Sequence, residues 1–360
     1  MPPHLLAAIS FHGFGHIGQS APVVNALVRR IPDLRVTLQC AAPLAVLRTH
    51  FHCTFTHLQQ ATDLGVVNHG ALHVLREETA LRYADFHADW DAKLALATAY
   101  LQTLQPDVLL ADVPYLTLAA AAQARIPSVA LCSLNWADIY AYYCGARPEA
   151  PQILAQIRAS YQAANVFLRP TPSMPMTDLT NVQSIGPIAR VGCERRAEFR
   201  ERLGVDSTTR LVIIALGGIE TAVTLDAWPR TNGLRWLVQS DWNITHPDAL
   251  TWDTLGWNFI DVLCSADALV TKPGYGSFAE AACNGVPVLY IERVDWPEQA
   301  CLVDWLPQQV PCVAMTAEQF ARGAFMDTLQ QLISTPKPAR LSPAGVEHAA
   351  DVIEAYLVGK

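Results

Sequence analysis

Short unbroken apolar runs recur along the chain, separated by longer stretches in which apolar positions return every three or four residues. The runs HLLAAISF (4–11), RVTLQCA (35–41), DVLLAD (107–112) and SVALCS (128–133) predict strands in the first half. RLVIIAL (210–216), LRWLVQS (234–240), ALVTK (268–272) and PVLYIER (287–293) predict strands in the second. Between them, SAPVVNALVRRI (20–31) and YLTLAAAAQARI (115–126) carry helical spacing. Strands with no polar alternation are covered on both faces, and strand–helix–strand order makes them parallel. The pattern predicts an α/β protein.

It also runs twice. Residues 168–192 hold four prolines and little periodicity, which predicts a connection between domains, and a charged helix (CERRAEFRERLGV) leads from it into the second set of strands. The expected domains are 1–180 and 190–340, with a last amphipathic helix in 341–360 crossing back to the first. Two such halves are expected to face each other across a cleft, where the C-terminal ends of parallel strands meet.

Composition narrows the function classes. The 360 residues are 51% hydrophobic and 16% charged with a net charge of −8, which fits a large buried core and no disorder. No basic block or basic helical stripe is present, which argues against nucleic acid as a partner. The N-terminal MPPHLLAAISF has no positively charged region and no cleavage site, and no segment reaches the ~20 apolar residues of a membrane span. Nine scattered cysteines with no C-x-x-C read as reduced thiols in a cytoplasmic protein.

The loop after the first strand, FHGFGHIG, contains Gly13-x-Gly15-x-x-Gly18, the spacing of a dinucleotide fingerprint. That fingerprint needs an acidic residue about 20 positions on, at the end of the second strand. The second strand ends TLQCAAP, and Asp33 lies before it, so a nicotinamide-dependent dehydrogenase is disfavoured. His16 then stands at a strand-to-helix turn, where a neutral imidazole can act as a general base. Asp112, at the end of DVLLAD, is the carboxylate placed to orient it. Simple helix-start and N-cap hydrogen bonding are the structural alternatives for the two residues.

The segment VTKPGYGSFAEAACNGVPVLYIER (270–293) ends a strand at Lys272 and opens a helix near Ser277 through Gly274 and Gly276. Glycines let the backbone approach a ligand, and a helix N-terminus beside a lysine attracts phosphate oxygens. Ser277 and Glu280 also match an S-x-x-E capping box, which needs no ligand. Gly217 and Gly218 offer a second close-approach point, and Asp295, Glu298 and Gln299 offer hydrogen bonds to a polyol or a cap for the next helix. Trp136 and Tyr140, together with His12, are candidates for an acceptor pocket or for the core.

Gly15, His16 and Pro22, with the 271–299 segment, resemble the motifs of GT-B glycosyltransferases, and the resemblance runs through most of the chain. The first motif is similar to that of transferases that glycosylate small molecules and of the peptidoglycan N-acetylglucosaminyltransferase. The phrases GFGH, NWADIYAYY (135–143) and KPGYGSFAEA resemble more closely the N-terminal region of L-arabinokinases, although no kinase phosphate loop of the P-x-x-x-G-L-G-S-S-A kind is present. The resemblance implies two Rossmann-like domains and inverting transfer from a nucleotide sugar, with no cofactor and no obligatory metal. It implies His16 as base with Asp112, while His12, Trp136 and Tyr140 are expected on the acceptor side from the residues themselves. It implies Gly274, Gly276 and Ser277 at the diphosphate, Glu280 at the ribose, and Glu298 or Gln299 at the donor sugar; from the residues themselves Gly217, Gly218, Lys272 and Tyr275 are expected at the diphosphate and Asp295 at the sugar. A sugar-nucleotide epimerase or hydrolase and a non-catalytic nucleotide-sugar-binding protein remain the alternatives.

Overall fold

The computed structural model describes residues 2–69, 73–217, 224–293 and 295–359. The predicted apolar runs form two parallel sheets. The first contains β1 (His4–Ile9), β2 (Arg35–Gln39), β3 (Thr56–Leu58), β6 (Val108–Asp112), β7 (Ser128–Leu131), β8 (Val166–Pro170) and β9 (Val182–Ile185). Among the described residues, the short strands β4 (Asn68–His69) and β5 (His73–Val74) pair with each other alone. The second sheet contains β10 (Arg210–Ala215), β11 (Leu234–Val238), β12 (Ala249–Thr251), β13 (Ala268–Thr271), β14 (Val288–Ile291) and β15 (Cys312–Met315).

Strand order is β3-β2-β1-β6-β7-β8-β9 in the first sheet and β12-β11-β10-β13-β14-β15 in the second, with every pairing parallel. Both orders reverse direction once, between β1 and β6 and between β10 and β13. In such sheets ligands bind outside the strand C-termini at the reversal, because the flanking connections leave the sheet on opposite faces there. In the first sheet that point is the Ile9↔Asp112 register pair, and in the second the Ala215↔Thr271 pair.

The chain divides into two compact units, residues 1–188 with 344–360, and residues 189–343. The segment 168–192 is therefore not a connection throughout. Its first part supplies β8 and β9 to the edge of the first sheet, and the units change over between Ile188 and Ala189. Its prolines misled the periodicity reading because Pro170 is the last residue of β8, while Pro172, Pro175 and Pro187 lie outside the strands.

In unit 1 the central strands are buried on both faces, and helix Gly15–Arg30 packs with helix Ala344–Val358 over β1. Arg30 ties the two helices by ion pairs to Asp351 (2.7 Å), Glu354 (2.9 Å) and Glu347. In unit 2 separate apolar clusters cover the two sheet faces, one around Phe278 and Leu302, the other around Trp228, Trp236 and Phe325. Among the described residues no helix is long and apolar enough to cross a membrane.

Candidate functional site

The first site is built at the β1/β6 reversal. The chain leaves β1 through Ser10, whose amide donates to the Asp112 carbonyl (3.2 Å), and enters helix Gly15–Arg30 at its first turn. His16, Gln19 and Ser20 are spaced i, i+3, i+4, so they lie on one face of that helix, and all three are buried. His16 Nδ1 lies 2.9 Å from Asp112 Oδ1, and the Ser20 hydroxyl donates to Asp112 Oδ2 at 2.8 Å. A carboxylate only accepts, so Nδ1 carries the proton and the Nε2 lone pair faces away from Asp112.

Asp112 has 0% exposure and His16 6%. Burial pushes the Asp112 carboxyl up, while the bonds from His16 and Ser20 pull it down. Cys132 Sγ lies 3.7 Å from His16 Nδ1, and Gln19 binds the Ser133 amide through its Oε1 (3.0 Å). The donor atoms of His16, Asp112 and Cys132 all lie within 4.8 Å of one another, a set that could hold a metal ion.

Backbone geometry holds Asp112 in place. Val113, directly after it, has φ +66°, a left-handed conformation that a β-branched residue adopts only under constraint. The Tyr161 hydroxyl donates to the Val113 carbonyl (2.9 Å) and accepts from the Trp136 amide (3.2 Å).

Trp136 opens a helix (Trp136–Cys144) capped by the Asn135 side chain. Its ring contacts both imidazoles, 5.4 Å from His12 and 5.8 Å from His16 between centroids, and its Nε1 donates to Asp63 Oδ2 at 2.6 Å. Gly65, at φ +56°, lets the His12 ring lie against the backbone, since a Cβ there would stand 2.1 Å from His12 Nε2. Burial holds His12 below its ordinary value. Tyr140 is fully buried, its ring 4.5 Å from Tyr83. Gln19, Ser20, Asp63, Cys132 and Ser133 were missed by sequence reasoning. The spacing H-x-x-Q-S was the available signal for two of them.

The second site lies at the β10/β13 reversal. Gly217 (φ +78°) follows β10, and a Cβ on it would stand 3.4 Å from Lys272 Cε. Lys272 is pulled down to about 8 by burial and by the Arg293 charge. Gly218 lies outside the described residues. The helix Tyr275–Asn284 starts two residues earlier than expected, with Gly274 as N-cap and no side-chain cap bond. The Ser277–Glu280 capping box is therefore not formed. Glu280 instead accepts from Arg190 Nε at 2.7 Å, and Tyr275 packs into the apolar core.

Arg293, also missed, is buried with its guanidinium 4.5 Å from the Trp296 ring centroid. Trp296 Nε1 donates to Glu298 (3.1 Å), and Gln299 accepts from the Arg293 amide (2.9 Å). Asp295 is half-buried in the same loop. Arg293 was legible only as a charge at a strand end.

No protein-family model matches the chain. It is 25% identical to an L-arabinokinase of Arabidopsis thaliana over 371 residues, which takes in 99% of this chain and 35% of that protein. The chain thus spans about a third of the length of this curated relative. Among solved structures it resembles CalG4, the calicheamicin glycosyltransferase, with a TM-score of 0.61, 15% identity and 99% of each chain covered. It also resembles LpCGTa in complex with UDP, with a TM-score of 0.58, 16% identity, and 99% and 94% covered. The chain has the α/β architecture of nucleotide-sugar glycosyltransferases of the GT-B fold, two Rossmann-like domains.

Proposed function

We propose that the protein transfers a sugar from a nucleotide-sugar donor to an acceptor hydroxyl, by direct displacement with inversion. Unit 1 is the acceptor-binding domain and unit 2 the donor-binding domain in this reading. The observation that carries it is the buried His16–Asp112 pair at the reversal of the first sheet, in a fold shared with solved glycosyltransferases.

With Nδ1–H held by Asp112, His16 presents Nε2 as the base that removes the acceptor hydroxyl proton. Asp112 then stabilises the imidazolium. The oxygen attacks the anomeric carbon from the face opposite the nucleoside diphosphate, which inverts the centre. Lys272, Arg293 and the uncapped N-terminus of helix Tyr275–Asn284 supply the positive field for the departing diphosphate. The mechanism assigns no step to a metal or cofactor. The nine free cysteines fit a reducing, cytoplasmic setting. The kinase activity in the name of the Arabidopsis relative is not carried over to a chain that spans a third of it.

The test is product analysis with UDP- and dTDP-sugars, reading anomeric configuration by NMR. His16→Ala should lower transfer by at least a hundredfold. A His16→Ala protein with full activity, or a product that keeps the donor's configuration, overturns the mechanism.

A further inference from the structure

The residues around His16 form a set of metal donors as well as a base. His16, Asp112 and Cys132 come from three neighbouring places at the reversal of the first sheet: the first turn of the helix after β1, the last residue of β6 and the residue directly after β7. One ligand atom from each lies within 4.8 Å of the other two, and all three side chains are buried. His16 Nδ1 stands 2.9 Å from Asp112 Oδ1 and 3.7 Å from Cys132 Sγ. A tetrahedral zinc ion at ordinary bond lengths sets its nitrogen–oxygen and nitrogen–sulfur ligand separations at about 3.3 and about 3.6 Å. The side chains would need to shift by only a few tenths of an ångström to hold one.

The surroundings also suit an ion. The Ser20 hydroxyl donates to Asp112 Oδ2 at 2.8 Å, which leaves Oδ1 turned towards the other two donors. Gln19 Nε2 lies 3.7 Å from Cys132 Sγ, an N–H donor that favours a thiolate there. Outer partners of this kind orient metal ligands and raise affinity. The constrained backbone of Val113 and the bond from the Cys132 amide to the Leu168 carbonyl (3.2 Å) fix two of the three donors in place. A neutral imidazole, a carboxylate and a thiolate together carry two negative charges, so a divalent cation leaves the buried cluster neutral. Gly15, beside His16, is exposed, and a Cβ on it would meet nothing within 4 Å, so solvent reaches the turn that carries His16.

We propose that His16 Nδ1, Asp112 Oδ1 and Cys132 Sγ bind one divalent cation of the zinc class, and that the bound ion switches the base off. A donor set with a thiolate and an imidazole selects zinc or cobalt over magnesium and calcium. On binding, the thiol proton leaves to solvent and the imidazole proton passes from Nδ1 to Nε2, so the ring stays neutral. An imidazole protonated at Nε2 has no lone pair there to accept a hydroxyl proton. The loss of the base rests on the transferase reading above, whereas the binding does not.

Titration of Co²⁺ into the full chain, first freed of metal with EDTA, tests the site. One equivalent should give the visible bands of tetrahedral cobalt and a thiolate-to-cobalt charge-transfer band, and Zn²⁺ should bleach both. Cys132→Ser should abolish the charge-transfer band and weaken Zn²⁺ binding about a hundredfold, and Ser20→Ala should weaken it about tenfold. Cys193→Ser, at an exposed thiol, should change neither. If Cys132→Ser does not fold, Asp112→Asn is read in its place and should weaken Zn²⁺ binding to the same extent. Zn²⁺ should stop sugar transfer by the wild type, and EDTA should restore it. Metal-free protein that transfers no sugar counts against the transferase reading and leaves the site standing. The absence of a charge-transfer band, a band that survives Cys132→Ser in folded protein, or transfer at full rate with Zn²⁺ bound overturns the proposal.

Discussion

Lys272 offers a test in which pH and mutation act on one atom. Its ordinary pKa of 10.5 is brought down to about 8 by burial and by Arg293, so the folded state disfavours the charged form by about 3 kcal/mol. A cation whose folded-state pKa lies below its unfolded value destabilises the fold wherever both states hold the proton. That cost is complete below about pH 8 and fades as pH climbs towards 10.5. Lys272→Met should therefore raise unfolding free energy at pH 7 by up to about 3 kcal/mol, and the advantage should shrink steadily between pH 8 and 10. Urea titrations of both proteins at pH 7, 8.5 and 10 measure it. An anionic ligand reverses the balance, because a diphosphate beside Nζ restores the proton. UDP affinity should then be flat below pH 8 and fall by up to about tenfold per unit above it, in the wild type only. A Lys272→Met protein no more stable than wild type at pH 7, or a stability gap that ignores pH, would show the reasoning to be wrong.

Other outcomes follow from neighbouring contacts. Asp112→Asn keeps the Ser20 bond but removes the charge that opposes the imidazolium, so transfer should fall by about three to four orders of magnitude with the thermal transition little changed. Gly65→Ala sets a Cβ against His12 and strains a left-handed residue; a loss of at least about 1 kcal/mol in urea unfolding and a moved His12 NMR resonance are expected. Arg190→Met strands the buried Glu280 carboxylate and should cost about 3 kcal/mol, whereas the double change with Glu280→Gln should recover much of it. If UDP binds the double variant as well as wild type, Glu280 does not hold the ribose.

Strands were legible in the sequence because parallel strands buried on both faces leave unbroken apolar runs, as in β1, β6, β10 and β13. β8 and β9 were not, since both are short, β8 ends on Pro170, and the edge strand β9 carries polar residues that read as a connection. At the site, His16 and Asp112 could be paired from one argument, that both follow strands whose C-termini share an edge. Asp63 could not, because its place beside Trp136 depends on a loop conformation with no periodic signature. The glutamate of the apparent capping box shows the opposite failure. Ser277 and Glu280 had the right spacing, but Gly274 started the helix early and Arg190, 90 residues away in sequence, claimed the carboxylate.

The helix Ala344–Val358 is separated from the rest of its unit by the 155 interposed residues 189–343. Its buried Ala349, Ala350, Ile353 and Leu357 complete the apolar layer over β1 and the helix that carries His16. During synthesis the second unit therefore has all its residues before the first does, and the layer beneath His16 closes only when the last turns leave the ribosome. A chain ending at residue 343 and released from the ribosome should hold a protease-resistant second unit and a first unit still open to cleavage.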